Sequence, residues 1–343
     1  MNVRFAAAAL LLILPLNARA ESLRVATFDA GLSRKGPGLA LNDLRKEDPQ
    51  IAAVVAVIAK VDPDVLLLTG IDYDAGNALL GALEQRLAAS GAPYGHIFAA
   101  KPNTGMPTGF DVDGNGRDYE ARDAQGFGYF AGDNGMALLS RIPIEGARDF
   151  SAFLWKNLPD NLMEGAGFSA ELAQVQRLST TAHWDIALRT ARGPLHLFAY
   201  NATPPVFDGP EDRNGRRNHD ETAFWLAYLD GRLAEKPADA PFVILGDVNL
   251  DPVDGDGRLH AIHALLADPR ITDPKPASDG GQGQDTADFG GDAGSLRVDY
   301  ILPSSDLTVT DAGVFWPSPS DPMAEVVAQA SRHRLVFVDI ELR

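Results

Sequence analysis

The sequence predicts an α/β fold in which two β-sheets pack face to face and are flanked by helices. Short apolar runs rich in β-branched residues recur along the whole chain, and each stops at a polar or glycine-containing junction. Segments with helical periodicity separate some of these runs, and long Gly-, Asp- and Pro-rich loops separate others. No internal repeat and no linker composition divides the 343 residues, so one domain over 21–343 is expected.

Met1 to Ala20 stands apart from that domain. Arg4 supplies a positive start, and Phe5 to Leu16 is an apolar stretch too short to span a bilayer. Ala18-Arg19-Ala20 places small residues for cleavage before Glu21. This reads as a signal peptide, which implies a periplasmic or secreted protein. No other run is long and apolar enough for a membrane span. The chain has no cysteine and therefore no disulfides.

In chain order, Leu23 to Phe28 reads as the first strand and ends at Asp29. Ile51 to Lys60 is helix-like, and Val65 to Leu68 is a second buried strand leading to Gly70 and Asp72. Ala78 to Ala89 has helical periodicity, stopped by Ser90-Gly91. A long loop covers 101–132, and Gly135 to Leu139 resumes as a strand. His183 to Leu188 and Leu195 to Tyr200 predict an antiparallel pair turning through Arg192-Gly193-Pro194. Pro204 to Asn218 reads as a polar loop, and His219 to Leu229 as a helix with Phe224, Trp225 and Tyr228 inward. The strand at Phe242 to Leu245 follows, then a small helix at Leu259 to Leu266 and a loop over 273–294. Arg297 to Leu302, Leu307 to Val309 and Leu335 to Ile340 complete the strands.

The stretch Pro241 to Gly257 carries the sharpest chemical signal. Its apolar strand ends in Gly246-Asp247-Val248-Asn249, and side chains two apart on an extended chain share a face. Asp247 and Asn249 therefore project together from a strand end, where α/β folds place their sites. A capped strand followed by a turn fits the same pattern. The formal charge is −17, and removing residues 1–20 makes it more negative because they carry only Arg4 and Arg19. Such a surface repels polyanions, and only short basic spots such as Arg213-Arg216-Arg217 interrupt it. This charge disfavours duplex nucleic acid as a partner and leaves room for a small phosphorylated or anionic ligand.

Four junctions recur at strand ends: Thr27-Phe28-Asp29, Asp64 to Leu68 leading to Gly70, Gly246-Asp247-Val248-Asn249, and Arg297-Val298-Asp299-Tyr300 with Ser331-Arg332-His333 before the last strand. In this order and spacing the chain resembles the endonuclease/exonuclease/phosphatase superfamily. The loop Thr203 to Gly215 resembles that of exported bacterial members. The resemblance implies a metal-dependent phosphoesterase on a two-sheet α/β sandwich. It carries the Gly-Asp-x-Asn pair onto Asp247 and Asn249, and the final histidine and its orienting aspartate onto His333 and Asp299. Four positions depart from the pattern. Asp29 stands where the family has Asn, Gly70 where it has the metal-binding Glu, Asn201 where it has a catalytic His, and Arg332 where it has Asp.

These departures fall on the metal and the proton chemistry, so the expectation is a phosphoesterase whose activity is weak or lost. Mg²⁺ or Mn²⁺ wants an oxygen shell anchored by carboxylates, and Gly70 offers none. Asn201 hydrogen-bonds but does not shuttle a proton near neutral pH. One expectation is a relocated metal held by Asp29 and Asp72 beside Asp247. The alternative is a pseudoenzyme in which Arg332 binds a phosphate. Asp208 and Arg213 are expected, by the resemblance, near the site mouth as substrate contacts. Asp111, Asp113 and Asn115 show the first oxygen spacings of a Ca²⁺ loop, although position 12 is Arg122 instead of Glu.

Overall fold

The computed structural model describes residues 21–342, so the segment read as a signal peptide, residues 1–20, lies outside the described residues. The strands are β1 (Glu21–Leu32), β2 (Val65–Ile71), β3 (His96–Phe98), β4 (Gly135–Ser140), β5 (Ile144–Asp149), β6 (His183–Thr190), β7 (Gly193–Asn201), β8 (Phe242–Asp247), β9 (Ala287–Gly290), β10 (Gly294–Leu296), β11 (Asp299–Pro303), β12 (Thr308–Phe315) and β13 (Leu335–Leu342). The α-helices are α1 (Leu39–Arg45), α2 (Pro49–Val61), α3 (Ala78–Ala89), α4 (Ala170–Val175), α5 (Arg213–Leu229), α6 (His260–Ala267) and α7 (Met323–Ala330). Among the described residues no helix is long and apolar enough to cross a membrane.

One sheet runs β12-β13-β1-β2-β4-β3, the other β11-β8-β7-β6-β5, and β9 and β10 form a small hairpin of their own. Each large sheet contains one parallel pair, β1 with β2 and β7 with β8, in an otherwise antiparallel ladder. Strand alternation builds the layers. Val25, Val65, Leu67, Ala199, Val243, Leu245, Ile301 and Val336 face inward and form the core between the sheets. Their neighbours Phe28, Leu66 and Leu68 face outward onto α2 and α3, where Val54, Ile58 and Leu83 meet them. On the opposite side Phe198, Tyr200 and Ile244 pack on Phe224, Trp225 and Tyr228 of α5. Two sheets between two helical layers give the expected sandwich.

The largest departure from the sequence reading is the start of α5. The helix begins at Arg213, six residues before the expected start at His219. Its first turns are polar, so no apolar periodicity marks them, yet they are packed. Arg217 is buried and donates to the carbonyls of Arg177, Leu178 and Ser179 at 3.0, 2.7 and 2.9 Å. Asn218 is buried as well and donates to the carbonyls of Thr203 and Val248 at 2.8 and 2.7 Å. Hydrogen bonds replace the apolar stripe. The loop expected over 273–294 also contains the β9–β10 hairpin.

Gly246 is fixed by the parallel approach of β7. Its φ is +141°, and a Cβ there would lie 1.8 Å from the Tyr200 carbonyl oxygen. The three nearest atoms are all Tyr200 backbone, which does not give way as a side-chain tip would. Gly246→Ala is expected to lower stability by about 3 kcal/mol or more, a loss of the class reserved for steric strain in a packed core. Urea unfolding checks it; a midpoint unchanged from the native chain would contradict this account.

Candidate active site

The alternation that fills the core also builds the site. Asp247 follows Leu245 on the inward row of β8, Asp299 precedes Ile301 on β11, and Asn201 follows Ala199 on β7. Register sets the three abreast, because Asp247 pairs with Asn201 on one side and Asp299 on the other. Asp29 lies on the inward row of β1, two residues after Thr27 and opposite Thr69 of β2. At this end of the seam between the sheets the apolar rows give way to acids.

His333 enters from the segment before β13. Its Nδ1 and Asp299 Oδ2 are hydrogen-bonded at 2.9 Å. One ligand-capable atom from each of Asp29, Asp247 and His333 lies within 4.8 Å of the others. Asp247 is tied to Asn249, but through a turn beyond the end of β8 instead of the extended chain the spacing implies. Its oxygens accept from the Asn249 backbone N–H at 2.9 Å and from Asn249 Nδ2 at 2.8 Å. Asn249 reaches this pose with φ +55°, a left-handed conformation that asparagine tolerates.

Asp247, Asp299 and His333 perturb one another, and the Asp29 charge acts on all three. Burial raises the Asp247 pKa well above the usual carboxylate range; His333 opposes this, and Asp299 and Asp29 add to it. Burial raises Asp299 too, against the pull of His333. For His333 burial alone would lower the pKa, but Asp299, Asp29 and Asp247 outweigh it and lift the imidazole to about 10. Asp299 Oδ1 is buried with no hydrogen-bond partner among the described residues. This surplus of buried negative charge, with two carboxylates and an imidazole close together, fits a hard divalent cation such as Mg²⁺ or Mn²⁺.

The other expected residues divide. Asn201 is buried in the row, and its side chain makes no hydrogen bond to a described residue. Arg332 is exposed, and its guanidinium likewise has no described partner. Asp72, expected beside Asp29, is turned to two loops instead: its oxygens accept from the Arg34 and Asn134 backbone N–H at 3.1 and 3.3 Å. The cause is Gly70, whose φ of +67° breaks the alternation that would have kept 70 and 72 on one face. Asp74 caps α3 through the Ala78 and Leu79 backbone N–H at 2.8 and 3.0 Å.

Asp208 accepts from the Asn214 backbone N–H at 2.5 Å on an exposed loop. Arg213 is spent on the carbonyls of Ala166 and Val112 at 3.0 and 3.3 Å. Neither makes a hydrogen bond or ion pair to the acidic cluster. In the Ca²⁺-like loop, Asp111 accepts the backbone N–H groups of Gly114, Asn115 and Gly116 at 2.8, 3.1 and 2.7 Å. Asp123, beside Arg122, joins Asp111 and Asp113 there.

Several supporting residues were not visible in the sequence. Thr286 Oγ1 donates to Asp299 Oδ2 at 2.9 Å and accepts the Val298 and Asp299 backbone N–H at 3.0 and 2.9 Å. Phe289 on β9 sets its ring edge-on to His333, with centroids 5.4 Å apart. Ser331 Oγ donates to the Asp29 carbonyl at 2.7 Å and accepts the His333 N–H at 3.1 Å. Thr286 and Phe289 sit in a Gly- and Asp-rich stretch without periodicity, so no local signal marks them. Ser331 lies within the recognised Ser-Arg-His motif, which is the one cue the sequence offers.

The family model of the endonuclease/exonuclease/phosphatase family matches residues 17–333. The chain belongs to that family. No curated protein matches it. Among solved structures, an endonuclease/exonuclease/phosphatase from Beutenbergia cavernae is similar at 20% identity and TM-score 0.58, over 94% of this chain and 72% of that one. A family protein from Leptotrichia buccalis is similar at 15% identity and TM-score 0.54, over 93% and 100%. Sphingomyelinase C from Streptomyces griseocarneus is similar at 16% identity and TM-score 0.51, over 94% and 100%. At these identities the likeness is one of fold.

Behind the site, Glu221 of α5 is fully buried and accepts the Thr180 and Thr203 backbone N–H groups, the latter at 2.7 Å. Burial raises its pKa to about 7, against the pull of Arg217. The folded chain therefore keeps a proton that the unfolded chain, with its ordinary value of 4.5, has released, and stability falls as pH rises through this window. Glu221→Gln removes that contribution. Urea unfolding at about pH 5 and about pH 7.5 is expected to show the native chain losing stability relative to the variant; parallel behaviour would contradict the assignment.

Proposed function

We propose that this protein is a divalent-cation-dependent hydrolase of small phosphate esters, working in an exported compartment. The observation that carries the reading is the convergence of Asp29, Asp247 and His333 within 4.8 Å at one end of the sheet seam. Family membership supports the reaction class, and the charge of −17 favours a small substrate over duplex nucleic acid. The leader-like sequence of residues 1–20 supports export.

The cation would be held by the carboxylates of this cluster, with His333 beside it and not a ligand, and would supply charge for the phosphoryl oxygens and acidity for a water. The protein's own groups do the rest. Asp299 holds Nδ1 of His333, which leaves Nε2 as the atom that gives or takes a proton. The surrounding carboxylates favour the protonated imidazole, the form that donates to an oxygen of the ester. Asn249 fixes the plane of the Asp247 carboxylate. Asn201 brings an uncommitted amide to the same row, suited to hydrogen-bond a phosphoryl oxygen.

A second reading, anion binding without turnover, draws on Arg332, an exposed guanidinium without a described partner one residue before His333. The two part under a chelator. The hydrolase reading expects bis-p-nitrophenyl phosphate turnover that EDTA abolishes and Mn²⁺ or Mg²⁺ restores. It also expects His333→Ala to lower kcat by about 10²- to 10⁴-fold, the range of a lost proton-transfer group. Phosphate binding that ignores EDTA and is lost in Arg332→Ala, with no turnover by the native chain, would favour the binder.

A further inference from the structure

Asp29 and Gly70 occupy one another's space. A Cβ on Gly70 would lie 2.4 Å from Asp29 Oδ1, 2.9 Å from its Cγ and 3.0 Å from its Oδ2, so the carboxylate rests against the bare Cα of β2. Two donors hold it there. Thr69 Oγ1 donates to Oδ2 at 3.2 Å, and the Gly31 backbone N–H donates to Oδ1 at 3.1 Å. Gly70 itself has φ +67°, and the β2–β4 ladder shifts register between Thr69 and Ile71 around it.

The three acids of the seam differ in how free they are. Asp299 is fully buried and bonded to His333 and Thr286 through Oδ2. Asp247 is 3% exposed and has both oxygens bonded to Asn249. Asp29 alone is partly open to solvent. Mg²⁺ and Mn²⁺ sites retain coordinated water and are anchored by one or two carboxylates, so the acid that keeps water contact is the one a hydrated cation reaches first.

We propose that Asp29 is the carboxylate anchoring the divalent cation, and that Gly70 is its positioning residue, side-chain-free so that Asp29 can lie across β2 into the site. This deepens the hydrolase reading and rests on it. Gly70 touches no cation; it acts through Asp29.

Mn²⁺ binding tests this without reference to turnover, with free Mn²⁺ counted by electron paramagnetic resonance. All proteins carry Asp111→Asn, which takes the separate Asp111, Asp113 and Asp123 loop out of the measurement. In that background the otherwise native chain is expected to bind Mn²⁺ saturably. Asp29→Asn, which keeps the shape of the side chain, weakens binding about tenfold or more. Gly70→Ala does the same although it removes no ligand, while Asp72→Asn stays within about twofold. Urea unfolding supplies an independent arm: Gly70→Ala costs less in an Asp29→Ala background than alone, because the clash partner is gone. Unweakened binding by Asp29→Asn, or an equal cost of Gly70→Ala in both backgrounds, overturns the proposal and leaves the hydrolase reading intact. Absence of saturable binding by the otherwise native chain overturns both.

Discussion

The inward rows of two facing sheets run out of apolar residues at one end, and everything at the site depends on what replaces them there. Leu245 gives way to Asp247, Ile301 to Asp299 and Ala199 to Asn201, without any change in strand register. Acids placed on a core row lose water but keep their mutual repulsion, and in a poorly solvated setting each raises the proton affinity of the next. His333 answers part of that charge. The remainder stays at the seam end, where Asp299 Oδ1 is buried without a hydrogen-bond partner among the described residues.

Holding like charges together takes a scaffold, and here it is polar and non-local. Gln50, in the first turn of α2, donates to the Ala30 and Ala330 carbonyls at 2.9 and 2.7 Å and so joins the end of β1 to the end of α7. Ser331 repeats the tie one residue further on. On the other sheet Glu221 and Asn218 of α5 grip the backbone around Thr203, just beyond Asn201. Buried groups of this kind are costly unless every partner is present, so they fix one arrangement more sharply than apolar packing does. The β9–β10 hairpin completes the enclosure: Thr286 holds Asp299, and Phe289 covers His333.

Much of the fold was legible because strand alternation and helical periodicity are local. Val65 to Leu68, Phe242 to Leu245 and Ala78 to Ala89 fall where the apolar pattern puts them. The start of α5 was not legible, since its buried residues are Arg217 and Asn218, which satisfy carbonyls instead of filling a core. Polar burial leaves no hydrophobic trace. Asp72 turns away from Asp29 for a related reason: side chains alternate only on an extended chain, and Gly70 is left-handed.

The sequence by itself determined the longer strands and helices, such as Val65 to Leu68, Phe242 to Leu245 and Ala78 to Ala89, because their apolar spacing is local; the short strands β3, β5, β9 and β10 carry no such spacing. Tertiary structure decided which strand ends meet. That Asp29 lies on Gly70 follows from the parallel register of β1 and β2, and that His333 reaches Asp299 follows from β13 and β11 belonging to facing sheets. Those distances are set by how two apolar surfaces pack, a sum over many weak contacts that no short stretch of chain contains.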